Sequence, residues 1–177
     1  RELDAVGPST PVERNSPKQL AQAVEGKTAV VYGTSHLTDS VAYRWKTQIE
    51  ENAKAFAVSG SVPECDHNEV MGWHGDPLTS RLHAVFLRDR AESRQIAKRM
   101  EATREIAALR AGTTEVWSKG EGRLARILSL VQIGDWVSYY LAVLRGVDPW
   151  PVTAIDQMKQ RLGSQGEAIS SPKKESR

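Results

Sequence analysis

The sequence has little cysteine and almost no net charge, and both absences restrict its class. One residue of 177 is a cysteine, Cys65, so an internal disulfide is excluded and a reducing compartment is the default. The 24 basic side chains against 22 acidic ones leave a formal charge of +2, too little for a general attraction to nucleic acid or to a membrane surface. No signal peptide is recognisable, and no apolar run reaches the roughly 20 residues of a membrane-spanning helix. We therefore expect a cytoplasmic protein without nucleic-acid or membrane partners.

The composition is otherwise that of a folded globular domain. A hydrophobic fraction of 40% and a charged fraction of 26% in 177 residues are enough for one well-buried domain. The chain begins at Arg1 without an initiator methionine, so we expect a processed or truncated product of something larger. Pro, Ser and charge without periodicity predict an amino-terminal arm at residues 1–16 and a polar tail at residues 163–177, on either side of a domain at residues 17–162.

Short apolar segments alternate with helical patterns along the chain. The segment Thr28–Gly33 is apolar and β-branched, and the next segment carries Val41, Trp45 and Ile49 at a helical spacing of four. Helices that separate buried strands predict a parallel sheet covered on both faces, an α/β fold of three layers. Further strands are predicted at 55–62, 82–89 and 114–119, and further helices at 17–26, 92–111, 122–146 and 152–162.

The turn after the first strand, YGTSHLTDS, is the first candidate site. Ligands of open parallel sheets bind beyond the carboxyl ends of the strands. Gly33, Thr34 and Ser35 would place backbone and hydroxyl donors at a helix amino terminus, which suits an anion such as a sugar phosphate. The same residues also make an ordinary capped turn, so the substrate site and the structural turn are both open interpretations.

A dense group of reactive side chains follows the second strand. The imidazole of His67 could move protons near neutral pH, or it could cap a helix or pack. Cys65, His67 and Glu69 alternate and could ligate a metal on an extended strand, but one thiol without a second ligand pair disfavours that. A Cys65–His67 nucleophile and base is disfavoured too, because the spacing does not supply the geometry. Glu50 and Glu51, at the end of the preceding helix, are most simply solvated charges, but if one faces inward, burial would raise its pKa and make it a usable base.

Three strings of this sequence together resemble a known family. ENAK at 51–54, HNE at 67–69 and GDWVSYYLAVLRGVDPWPV at 134–152 are similar to the carboxy-terminal sugar-isomerase (SIS) domain of bifunctional phosphoglucose/phosphomannose isomerases. The similarity spans roughly Pro17 to Leu162. It implies an SIS-type sheet of five parallel strands between helices, paired in the family with an amino-terminal SIS half that is missing here. It also implies a homodimer in which a catalytic histidine reaches the partner's site, without metal or organic cofactor.

The resemblance also implies a reaction and roles for individual residues. Family members interconvert glucose 6-phosphate or mannose 6-phosphate with fructose 6-phosphate, a step of glycolysis and gluconeogenesis. By motif position, Glu51 is the base that moves a proton between C2 and C1 through an enediol, and His67 assists ring opening. Lys159 of the last helix is the candidate cation near the ring oxygen. Thr153 is a candidate substrate contact, since Trp150 stands in DPWPV where relatives commonly have threonine.

The resemblance therefore implies the carboxy-terminal half of a sugar-phosphate isomerase, which we expect to be inactive or nearly so by itself. The alternative is a non-catalytic SIS module that binds a sugar phosphate for regulation, an interpretation favoured by the missing half and by Trp150. A purely structural dimerisation domain is a third interpretation, and it predicts no binding of sugar phosphate.

Overall fold

The computed structural model describes residues 6–166, in which helices and strands alternate. The strands are β1 (Thr28–Thr34), β2 (Ala57–Val62), β3 (Leu82–Arg88) and β4 (Gly112–Trp117). The helices are α1 (Ser16–Val24), α2 (Asp39–Ala53), α3 (Glu69–Gly75), α4 (Arg94–Ala108), α5 (Arg123–Arg145) and α6 (Thr153–Gly166), with short 3-10 turns at Val12–Arg14, Glu64–His67 and Pro77–Arg81. The start of the predicted arm, residues 1–5, and most of the predicted tail, residues 167–177, lie outside the described residues.

The four strands form one parallel sheet in the order β2-β1-β3-β4. This confirms the predicted fold class, a parallel α/β sheet flanked by helices. The expected number of five strands is wrong for residues 6–166, which contain four. Only five residues separate the end of β4 from the start of α5, and the residues before α1 form a 3-10 turn, so no described segment pairs with the outer edge of β4.

The two faces of the sheet are covered by different helices. Side chains of Ala29 and Val31 in β1 pack into a core shared with α1, α2 and α5, together with Val85 and Leu87 of β3. The alternate residues of the same strands, among them Val30, Tyr32, Ala84 and Phe86, pack on the other face with Trp73 of α3 and Met100 of α4. Burial on both faces explains why β1 and β3 are nearly continuous apolar runs in the sequence.

Helices α2 and α5 run side by side and touch at a glycine. A Cβ atom at Gly134 would lie 2.2 Å from Nε1 of Trp45, so the indole occupies the space that any side chain would need. Trp45 is fully buried, and its Nε1 donates a hydrogen bond to the carbonyl of Leu130 at 2.9 Å. At the far end of the pair, Nε of Arg145 donates to the carbonyl of Ala53 at 2.9 Å. The two helices therefore end together, which brings the segment after α5 to the end of α2.

Helix α5 corrects one expectation from the sequence. By length and composition its 23 residues could cross a membrane, contrary to the prediction that no segment is long enough. In the fold, half of its most apolar window is buried inside the domain, against α1 and α2. The buried face also carries Ser129 and Ser138, whose hydroxyls donate to backbone carbonyls of the same helix. Its apolar character is thus used in the core of an α/β domain.

A buried histidine, His83, lies at the amino-terminal end of β3. Its side chain is 5% exposed, and Nε2 shares a hydrogen bond of 2.9 Å with the hydroxyl of Thr114. Within the described residues Nδ1 has no hydrogen-bond partner. Burial, and then the charge of Lys27, lower the pKa of His83 from 6.5 to about 4. The folded protein therefore holds this imidazole neutral at pH values where the unfolded chain protonates it.

We expect His83 to make the protein less stable in mild acid. Between about pH 6.5 and pH 4 the unfolded chain binds more protons at this group than the folded protein does, so the free energy of unfolding falls as the pH falls. The full difference in pKa corresponds to roughly 3 kcal/mol. Urea unfolding at about pH 7 and about pH 4.5 should give a smaller difference for His83→Gln than for the wild type. His74→Gln, at an exposed position, is the control, and equal pH dependence in all three proteins would refute the assignment.

Candidate active site

A cleft of about 280 Å³ opens where α2 ends and α6 begins. The ENAK string supplies one wall through the last turn of α2, and the VDPWPV string supplies the other through the segment that leads into α6. Two of the residues singled out from the sequence, Glu51 and Thr153, lie in this one cleft although they are far apart in the chain. Its lining residues are Glu50, Glu51, Lys54, Pro151, Val152, Thr153, Ala154 and Ile155.

The residues around Glu51 are fixed by contacts inside the domain. Nδ2 of Asn52 donates to Oγ of Ser138 at 2.9 Å and to Oε1 of Gln48 at 3.3 Å, which ties this position to α5. Ala53 is completely buried. Because Asn52 and Ala53 are turned towards the core, Glu51 is left on the outer side of the helix, where its exposed carboxylate borders the cleft.

Lys54 joins the two walls of the cleft. It ends α2 in the left-handed region, with φ of 51°, and its ammonium group donates to three backbone carbonyls. One is the carbonyl of Glu51 at 2.6 Å, and the others are those of Pro149 at 3.2 Å and Pro151 at 2.7 Å. The end of α2 is thereby connected to the VDPWPV segment.

His67 and Glu51 lie at opposite ends of the strands of the sheet. Helix α2 runs back from the carboxyl ends of the strands to their amino ends, so Glu51 sits at the amino edge, shortly before β2 begins. His67 follows the carboxyl end of β2. The length of β2 separates the two edges by roughly 20 Å. One copy of this chain therefore does not bring the two predicted proton-transfer groups together.

The surroundings of His67 are those of a structural turn with an exposed imidazole. Cys65 is buried, and burial raises the pKa of its thiol to about 12, with the carboxylates of Asp66 and Glu69 acting in the same direction. Such a thiol is protonated at neutral pH and is a poor nucleophile. Glu69 accepts a hydrogen bond of 2.6 Å from the hydroxyl of Tyr32. In residues 6–166 no group of three or more His, Cys, Asp or Glu side chains could hold a metal ion.

The turn after β1 uses its hydrogen-bond donors internally. The backbone N–H of Thr34 donates to the hydroxyl of Thr38 at 2.8 Å, and that of Ser35 donates to the carbonyl of Val62 at 3.1 Å. A Cβ atom at Gly33 would lie 2.3 Å from the carbonyl oxygen of Thr38, so glycine permits the helix to start close to the strand. These contacts describe an internally hydrogen-bonded turn, and a substrate role for Gly33, Thr34 and Ser35 stays a prediction.

Thr153 and Lys159 have different positions relative to the cleft. Thr153 is the first residue of α6 and lines the cleft opposite Glu51. Lys159 is exposed on the same helix, about 9 Å further along its axis, and it is not among the lining residues. Trp150, the departure from the family pattern, is 90% exposed and also does not line the cleft.

Two further side chains line the cleft, those of Glu50, which the sequence offered beside Glu51, and of Lys54, for which no role was predicted. Glu50 is half-buried and pairs with Nζ of Lys46 at 2.7 Å. The ENAK string contained Lys54, but nothing in its spacing indicated contacts to carbonyls 95 and 97 positions away. The available signal was a long cationic side chain at a helix carboxyl end, where it can bind terminal carbonyls.

Solved structures define the class of fold. A glucose-6-phosphate isomerase-like protein from Thermus thermophilus superposes with a TM-score of 0.71 at 27% identity, over 84% of this chain and 50% of the other. A glucose-6-phosphate isomerase from Chlamydia trachomatis gives a TM-score of 0.71 over 97% of this chain and 42% of the other, and its 10% identity shows the fold alone. The architecture is that of SIS-type sugar-isomerase domains.

Residues 13–162 match the family model of the bacterial phospho-glucose isomerase C-terminal SIS domain, and the chain belongs to this family. It is 38% identical over 157 residues to the bifunctional phosphoglucose/phosphomannose isomerase of Caldicellulosiruptor bescii, a match that covers 88% of this chain and 46% of the relative. It is 40% identical over 147 residues to the protein of the same name from Aquifex aeolicus, a match that covers 82% of this chain and 45% of the relative. The resemblance seen in the sequence is thus confirmed, and the chain spans about half the length of the curated relatives it matches.

Proposed function

We propose that this chain is the carboxy-terminal half of a sugar-phosphate isomerase that interconverts glucose 6-phosphate or mannose 6-phosphate with fructose 6-phosphate in the cytoplasm. The observation that carries the proposal is the cleft in which Glu51 faces the start of α6. A carboxylate at the wall of a cleft can reach a bound sugar. The membership in the isomerase family supports the choice of reaction.

The chemistry needs one group that takes a proton and returns it to the neighbouring carbon. The carboxylate of Glu51 removes the proton from C2 of the open-chain aldose while the C1 carbonyl oxygen takes a proton from solvent, which gives the enediol. Return of the proton from Glu51 to C1, with loss of the C2 hydroxyl proton to solvent, gives the ketose. The exchange is balanced within one sugar, so it needs no electron acceptor. Positioning of the carboxylate against C1 and C2 is the main contribution that the protein makes.

Ring opening requires a second acid–base group, and His67 fits that role only from another chain. Within one copy the imidazole and the Glu51 carboxylate lie at opposite edges of the sheet. We therefore place His67 of a second copy beside the Glu51 cleft of the first, in a homodimer. Lys159 on the exposed part of α6, and Thr153 at its start, would meet the substrate as the cleft is completed by the amino-terminal SIS half.

The test is an isomerisation assay with fructose 6-phosphate on two proteins. One is this chain alone, and the other is the complete polypeptide encoded by its gene. We expect turnover by the complete protein and none above background by the chain alone, because this proposal assigns half of the substrate site to an amino-terminal SIS half. If the complete protein binds sugar phosphate without turnover, the regulatory binding module replaces the isomerase. If it does neither, the sugar-phosphate proposal is wrong.

A further inference from the structure

Lys54 has all three of its ammonium donors engaged. They bind the carbonyls of Glu51, Pro149 and Pro151 at distances between 2.6 and 3.2 Å. A lysine ammonium has three N–H bonds and no acceptor. The group therefore has no donor left for a substrate anion while these contacts persist, although it lines the cleft.

Capping of the helix explains only one of the three contacts. A cation at a helix carboxyl end binds the terminal carbonyls and compensates the helix dipole, which accounts for the bond to Glu51. The carbonyls of Pro149 and Pro151 belong to the segment that forms the other wall of the cleft. Directly after Pro151 the first hydrogen bonds of α6 begin, from the N–H groups of Ile155 and Asp156 to the carbonyl of Val152.

The backbone at Lys54 is also unusual. Its φ of 51° lies in the left-handed region, which is uncommon for a residue other than glycine, asparagine or aspartate. Glycine is the usual residue where a helix ends in this conformation. A lysine at this position keeps a cationic side chain at the point where the end of α2 meets the VDPWPV segment.

We propose that Lys54 is a positioning residue that holds the start of α6 at a fixed distance from Glu51. By binding the carbonyl of Glu51 and the two carbonyls of the opposite wall, it sets the width of the cleft. Its role in fixing the cleft stands on these contacts, whereas its effect on catalysis rests on the proposed function. Lys54 does not contact the substrate in this assignment.

Hydrogen exchange of this chain tests the structural part without any assay of activity. In Lys54→Met the side chain keeps its length and loses its donors, so the backbone amides of Ile155 and Asp156 should exchange about tenfold faster than in the wild type. Lys98→Met removes the same charge from an exposed position on α4 and should leave those amides unchanged. Unchanged exchange in Lys54→Met, or acceleration spread equally over α2 and α5, would overturn the proposal. Lys54→Arg, which can reach two carbonyls, should restore part of the protection.

Kinetics of the complete protein test the catalytic part. We expect kcat of Lys54→Met to fall about tenfold or more, since a small displacement of a catalytic group lowers the rate strongly. A rise in KM with unchanged kcat would overturn the positioning of Glu51 and indicate a contact made equally in the ground state. Faster exchange together with no turnover by the wild type would refute the proposed isomerase while leaving the role of Lys54 in the cleft intact.

Discussion

Replacing Glu51 by Gln should reduce isomerisation by the complete protein about a thousandfold, the size of effect that a general base contributes. Glutamine keeps the shape of the side chain and cannot accept the C2 proton. Because Glu51 is exposed and its carboxylate is not part of the core, the substitution should leave the unfolding transition unchanged. Coupled assays of the isomerisation, run in both directions, give the measurement.

The control for this experiment is Glu105→Gln, which removes an exposed carboxylate on α4, on the other side of the sheet. It should retain wild-type kcat. Binding of a non-reacting sugar phosphate, measured by calorimetry, should be preserved in Glu51→Gln, because the proton-transfer group is lost and the anion contacts are not. Wild-type turnover by Glu51→Gln would show that the base lies elsewhere, and loss of binding with loss of turnover would assign Glu51 to substrate affinity.

Two inactive variants should restore activity when they share one dimer. If each site combines Glu51 of one chain with His67 of another, then a mixed dimer of Glu51→Gln and His67→Ala contains one doubly substituted site and one site with both native residues. Random pairing makes half of the dimers mixed, and one site in two is then intact, so about a quarter of wild-type activity should return. We expect this recovery of activity because Glu51 and His67 of one chain lie at opposite ends of the strands, too far apart to share a site.

Co-expression of the two complete variants with different affinity tags allows the mixed dimer to be isolated. Each variant alone must first be shown to be nearly inactive. The control is a mixed dimer of Glu51→Gln with the double variant, which has no intact site and should stay inactive. If the mixed dimer of single variants is also inactive although it forms, both residues act within one chain or His67 has no part in the reaction, and the two-chain site is refuted.

The layered fold could be predicted because the residues that form apolar runs or helical spacings in the sequence are the residues that the fold buries. The apolar runs at β1 and β3 are buried on both faces, and the spacing of Val41, Trp45 and Ile49 corresponds to the buried face of α2. The number of strands could not be predicted in this way. A fifth strand was inferred from resemblance alone, and no apolar segment among the described residues pairs with the outer edge of β4.

The site could be predicted only in part, because some of its contacts join residues that are far apart in the sequence. The ENAK motif pointed to Glu51, and the structure places this residue at a cleft with Thr153. The role of Lys54 depends on carbonyls that follow α5, and the sequence gives no measure of how α5 is placed against α2. At Gly33 the sequence pattern was visible but ambiguous. A glycine that lets a helix start close to a strand looks the same in the sequence as a glycine of an anion-binding turn.

The contact between Trp45 and Gly134 has a consequence for how sequence variation affects the cleft. At Gly134 the indole of Trp45 packs against the bare backbone of α5, so no flexible side chain separates the two helices at this point. Close-packed interiors transmit a displacement when a volume changes at such a point. The geometry at Lys54 therefore depends on this interior contact as well as on the bonds of Asn52 to Ser138 and of Arg145 to Ala53.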